Sequence, residues 1–220
     1  MRRTTFQPLR FGLFFFAALL AFASIIEAGP PLLCHPFEIG GAKSLPWEKS
    51  ENWNSPKAGY DITNLVPETM SLLSSDTGVI IRMETLRRAT LYASGIYRGN
   101  DGWKNQSDED RRIAYELLSR LMARALAESP GSLASFDAGY LMSCYEQANI
   151  TKDFKGYELV KKALAVNGQN PEIEFACALI TVWPKNAEHG QHLQKAKAAA
   201  QKNSLLAANL ESHFGNGKAQ

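Results

Sequence analysis

From Pro67 onward, apolar residues recur every three or four positions, the spacing of helices that bury one face. Pro67-Glu68-Thr69 suits a helix start, because proline needs no intrahelical partner in the first turn and glutamate complements the positive helix end; that short helix is read as ending at Ser74-Ser75. Asp76 is a cap for the next, on which Val79, Met83, Leu86, Thr90, Ala93 and Tyr97 form one stripe, until Gly99-Asn100-Asp101-Gly102 breaks the chain. Ser107 to Asp110 reads as a capping box, opening a helix with Ile113, Leu117, Leu118, Leu121 and Ala125 on its apolar face and a stop at Ser129-Pro130. Further helices are predicted from Ser132 to Ala148, from a cap at Asp153 to Val166, from Asn170-Pro171-Glu172 to Trp183-Pro184, from Ala187 to Lys202, and after Ser204.

Upstream the period disappears. Residues 29–66 are rich in Pro, Gly, Ser, Asn and Lys, with Pro30, Pro31, Pro36, Pro46 and Pro56 biasing the chain to extended conformations. Trp47, Trp53 and Tyr60 are spaced through this arm, and such rings bury large areas when they dock. They are the candidate functional residues here: they either fill the groove of the helical region as a self-lid or line a ligand pocket. Residues 1–28 have a different logic. Arg2, Arg3 and Arg10 precede the apolar run Phe11 to Phe22, and small residues at Ala21 and Ala23, or Ala28 before Gly29, offer cleavage sites. This is the order of a secretory signal peptide; twelve residues fall short of the ~20 needed to span a bilayer. The expected organisation is a signal peptide at 1–28 cut after Ala23 or Ala28, the arm at 29–66, a helical-repeat domain at 67–213 and a flexible tail at 214–220.

The helical part also repeats. Arg124-Ala125-Leu126-Ala127 matches Lys162-Ala163-Leu164-Ala165, and Tyr115-Glu116-Leu117-Leu118 matches Tyr157-Glu158-Leu159-Val160. Each unit is followed by a Pro- or Gly-containing turn and then a helix with Phe and a small residue three positions on, Phe136 with Gly139 and Phe175 with Ala178. Lys197-Ala198-Ala199-Ala200 is a third copy; Ala125, Ala163 and Ala198 lie 38 and 35 residues apart. With Gly156 and Ala163 at small positions of a second helix and Asn170-Pro171-Glu172 at an inter-repeat turn, residues 107–213 resemble the tetratricopeptide repeat family. The resemblance implies an all-α fold: stacked antiparallel helical hairpins in a right-handed array, preceded by the irregular arm. It also implies a groove for a protein or peptide partner.

Charge and cysteine content narrow the function. Cleavage after Ala28 removes three of 24 basic and one of 22 acidic residues, leaving 21 of each. A neutral chain lacks the basic footprint of a nucleic-acid binder, so none is expected, and membrane contact is expected only through an uncleaved signal peptide. Cys34, Cys144 and Cys177 include no CxxC pair; a disulfide from Cys34 to Cys144 or Cys177 would staple the arm to the array, while Cys144 and Cys177 in apolar helices also read as buried hydrophobes. Cys34-His35 lacks the further ligands of a zinc site, and Glu38 to Ser44 lacks the glycine spacing of a phosphate loop. His189 and His192 read as exposed, and Arg82, Glu84, Arg87 and Arg88 as a solvated, ion-paired face. No catalytic residue, metal site or cofactor is assigned. The expected function is a periplasmic or secreted, non-catalytic interaction module, the alternative being an envelope enzyme or ligand-binding protein with a pocket between arm and helices.

Overall fold

The computed structural model describes residues 29–48, 52–96, 106–152, 155–182 and 186–215. The signal-peptide reading, Tyr97, the 99–102 break, Asp153 and Trp183-Pro184 lie outside these residues.

The arm begins with a tight turn in which the Pro30 carbonyl accepts from the amides of Leu33 and Cys34. It later doubles back, with Trp47 bridged to Pro56 and the Glu48 amide donating to the Ser55 carbonyl. Asp61 then caps a 3-10 turn, Ile62–Asn64, that runs into helix α1, Leu65–Leu72, so the first helix starts two residues before Pro67. Helix α2 spans Val79–Ala93 from a Gly78 cap, and Asp76 lies in the turn before it. Helix α3, Asp108–Ala127, opens on the reciprocal capping box of Ser107 and Asp110. Then follow α4, Leu133–Gln147; α5, Gly156–Val166; α6, Pro171–Thr181, whose Asn170 cap accepts from the Glu172 and Ile173 amides; α7, His189–Ala199; and α8, Leu205–Phe214, capped by Ser204.

Consecutive helices pack against one another, and α2 also meets α4 and α6 while α6 meets α8. The result is an all-α array of stacked helical hairpins with distinct inner and outer rows. Thirteen of fifteen residues in α2, twelve of fifteen in α4 and eight of eleven in α6 are buried, against six of twenty in α3 and two of eleven in α7. A helix covered on all sides needs no polar face, which is why α4 and α6 read as largely apolar and small residues whereas α3 keeps a clean stripe; α2 is covered too, but buries charged side chains that pair internally.

The inner helix α4 and its outer neighbour α5 meet closely because of two glycines. A β-carbon on Gly139 of α4 would lie 2.6 Å from the Gly156 carbonyl oxygen, and one on Gly156 of α5 would lie 2.5 Å from the Gly139 oxygen. Backbone therefore meets backbone where these helices cross. Elsewhere the matched strings do not share surroundings. Leu126 is 81% exposed whereas Leu164 is 8% exposed, and Tyr115 is exposed whereas Tyr157 is hydrogen-bonded to Glu188 and His192. The two helices also differ in length, twenty residues in α3 against eleven in α5.

Ion pairs inside this core lock three helices. Asp137 of α4 is fully buried and accepts from Arg82 of α2 at 2.6 Å and from Arg124 of α3. Arg82 also donates to the carbonyls of Thr77 and Ser74, and Arg124 to that of Leu73, so the α1–α2 turn is gripped as well.

Candidate ligand cleft

The structure brings Trp47, Trp53 and Tyr60 together on one platform, the arm-facing side of α2. Tyr92 meets the edge of Trp47 at 5.7 Å and packs on Tyr60 at 4.3 Å. The guanidinium groups of Arg87 and Arg88 lie over Trp47 at 5.3 and 5.6 Å, within cation–π range. The Trp53 carbonyl accepts from Arg87 at 3.1 Å, and Tyr60 donates to Glu68 at 2.8 Å.

Beneath them sits Glu84, wholly buried. Its carboxylate accepts from Arg87 Nε at 2.7 Å and Nη2 at 3.0 Å, from Arg88 Nε at 2.6 Å, and from the Phe37 amide at 3.0 Å. Burial pushes this carboxyl up, but Arg87, Arg88 and the Phe37 amide outweigh it and hold Glu84 below the usual range. The two arginines pass the contact on to the arm's backbone: Arg87 donates to the Leu33 carbonyl at 2.8 Å and Arg88 to that of Leu45 at 2.7 Å. Tyr92 donates to the Pro46 carbonyl and accepts from the Lys57 amide. The charged group of α2 is thus not a solvated face: Arg82, Glu84 and Arg87 are each at most 2% exposed. The correction has a simple cause. The arm, which has no helical ladder of its own, must find partners for its backbone groups, and these side chains supply them.

Cys34, Cys144 and Cys177 are free thiols in this structure. Cys144 and Cys177 are fully buried, and burial raises all three thiols. The arm's far attachment is polar instead: Asn209 of α8 accepts from the Glu38 amide at 2.9 Å and donates to the Glu38 carbonyl at 2.8 Å. Next to it, the His213 ring stacks on Phe37 at 4.8 Å and meets the edges of His35 and Phe175.

A cleft of about 480 Å³ opens on the other side of α4. Because Gly156 is pressed against Gly139, α5 starts beside the middle of α4 and the last turn of α4 overhangs it. Ser143, Glu146 and Gln147 line the cleft from that overhang, Tyr157 from α5, Ile180 and Thr181 from the end of α6, and Asn186 from the segment before α7. The volume falls in the ordinary range for ligand sites. The arm borders it, since the Leu32 amide donates to Gln147 Oε1 at 2.9 Å.

Behind Tyr157 lies a relay that sequence reading missed. The Tyr157 hydroxyl donates to Glu188 at 2.8 Å and lies 2.7 Å from His192 Nε2, while His192 Nδ1 bonds Glu174, a carboxylate 1% exposed. Lys195 pairs with Glu174 at 3.1 Å, and Lys161 pairs with Glu188 at 3.4 Å. His192 is therefore buried, not exposed; its partners come from α5 and α6, 35 and 18 residues away, which spacing along α7 does not reveal. The one local signal was Ala196, also buried, one turn on from His192. The relay favours hydrogen bonding over nucleophilic attack. Burial and the bond to Glu188 raise the Tyr157 phenol, so it keeps its proton, and that same bond lowers Glu188.

No protein-family model, no curated protein and no solved structure matches the chain. Among the described residues, no helix is long and apolar enough to cross a membrane, and no group of three or more His, Cys, Asp or Glu is placed to hold a metal ion.

Proposed function

We propose that this chain is an exported, non-catalytic interaction module that holds a segment of a partner protein in the cleft between α4, α5 and α6. One observation carries the reading. The arm already occupies the α2 platform, yet a concave site of about 480 Å³ remains, walled by three helices and lined by amides, hydroxyls, a phenol, the Glu146 carboxylate and the apolar side chain of Ile180 rather than by an activated nucleophile. Helical-hairpin arrays present concave surfaces to partner segments in this way. Export is the companion proposal, supported by the basic, apolar and small-residue order of residues 1–28.

Site-specific photocrosslinking tests the binding claim. A crosslinker at Ser143 or Asn186 is expected to trap one partner, and Thr181→Trp, which fills the cleft, to abolish that product. A product that forms equally from exposed Arg120 on α3, or that survives Thr181→Trp, would refute it. For export, mass spectrometry of the mature chain is expected to find Ser24 or Gly29 first; an intact Met1 on the membrane-bound protein overturns the claim.

A further inference from the structure

A second pin holds the antiparallel pair of α4 and α5. Gly139 and Gly156 fix one meeting point; at the other, the turn before α4 lies against the last turn of α5. A β-carbon on Gly131 would run into Val166 and stand 2.8 Å from the Lys162 carbonyl oxygen. Asn167, the cap residue of α5, closes that contact. Its side-chain Nδ2 donates to the Ala163 carbonyl at 2.7 Å and across to the Gly131 carbonyl at 2.9 Å, so both hydrogens of the NH₂ are used. Gly168 follows with a left-handed φ of 64°, and a β-carbon there would meet nothing within 4 Å.

Sequence and contact together define a chemistry. In an Asn-Gly pair the glycine nitrogen can reach the asparagine side-chain carbon, because no following side chain stands in the way. The Gly168 nitrogen bonds to Asn167 Cγ, and the side-chain nitrogen leaves as ammonia, taking the hydrogen that Gly168 gives up. Water then opens the cyclic imide to aspartate or isoaspartate. The leaving nitrogen is the atom that the Ala163 and Gly131 carbonyls both hold. Ring closure turns the side chain away from the helix toward the following amide and breaks both bonds, so the reaction runs through a locally opened state. We propose that Asn167–Gly168 is a deamidation site that the folded chain keeps shut and that parting of the α4–α5 pair exposes, its conversion being a one-way mark of that opening. The product explains the direction. A carboxylate has no hydrogen to donate, so it would set its oxygens against the Ala163 and Gly131 carbonyls, and isoaspartate also lengthens the main chain at the cap.

The test compares the full chain, folded in mildly alkaline buffer, with the same chain in denaturing urea. Peptide mapping by mass spectrometry follows the amide-to-acid change at Asn167 and separates it from Asn216–Gly217, a second such pair outside the described residues. The folded chain is expected to convert at least about tenfold more slowly than the unfolded one, the ratio reporting the opening equilibrium; equal rates would overturn the proposal. Gly131→Ala leaves the Asn-Gly pair untouched but drives a methyl group against Val166 and the Lys162 carbonyl at a φ of 82°. It is expected to speed conversion under the folding condition by at least about threefold, and an unchanged rate would show that the Gly131 contact does not guard the site. Asn167→Asp supplies the product directly. Hydrogen exchange at the amides of Ser132 and Gln169, which bond within the turn and the cap, is expected to be faster in it than in the parent protein. Exchange as slow as the parent's would mean that the pair closes again, and the one-way claim would fail.

Discussion

At Gly139 and Gly156 the usual arithmetic of a helix is reversed. Glycine inside a helix is disfavoured by about 1 kcal/mol relative to alanine, yet here each β-carbon would meet a backbone oxygen or a neighbouring side chain at under 3 Å. Overpacking of that kind costs about 1–3 kcal/mol, so Gly139→Ala and Gly156→Ala are expected to lower the urea midpoint. A midpoint at or above that of the parent protein would show that α4 and α5 do not touch as described. His213 makes a second case. Burial lowers its pKa to about 4, against 6.5 for the free side chain. Between those values the unfolded chain takes up a proton that the folded one refuses, so the His213 contribution is present above pH 6.5 and is lost as pH falls toward 4. The prediction is that His213→Phe, which keeps a ring against Phe37 and Phe175, loses less thermal stability than the parent between pH 7 and 4. Parallel acid limbs for the two proteins would contradict it.

Among the elements, the arm and α2 depend on each other. Arg87→Ala would remove two bonds to Glu84, the bonds to the Leu33 and Trp53 carbonyls, and the cation over Trp47. Glu84 would keep Arg88 and the Phe37 amide, so the cost falls below the roughly 3–5 kcal/mol of a wholly unpaired buried charge. The expected outcome is a loss of stability with faster proteolysis of the arm, and an arm that stayed protease-resistant in that variant would show it is held some other way. What the sequence made legible follows the range of each signal. The Ser107 capping box and the Asn170 cap with Pro171 depend on neighbours within a few positions, and the structure has them; Gly156 as a small crossing residue came from the repeat resemblance, and it does meet Gly139. Asp76 as a cap failed only locally, by two residues. The role of Arg82 depends on Asp137, 55 residues away, and that of Arg87 on Leu33, 54 residues away. No periodicity encodes such partners, so an internal charge network looked like a wet surface. The Tyr157–His192–Glu174 relay was hidden for the same reason, and with it the site it backs.

For the molecule as a whole, attachment of the arm without a disulfide gives a direct readout. Denatured in the absence of reductant, each chain is expected to titrate as three thiols; a count of one, with Cys34 found in a disulfide-linked peptide by mass spectrometry, would mean that a bridge from Cys34 forms in the protein. The same attachment distinguishes this array from an open solenoid, in which each unit leans only on the next. Here Glu38, near the beginning of the described chain, exchanges two hydrogen bonds with Asn209, 171 residues later. The fold is a loop fastened by its own ends. A ribosome delivers Glu38 long before Asn209, so the leading segment must travel unclasped until the final helix emerges, and α8 is the keystone that closes the structure.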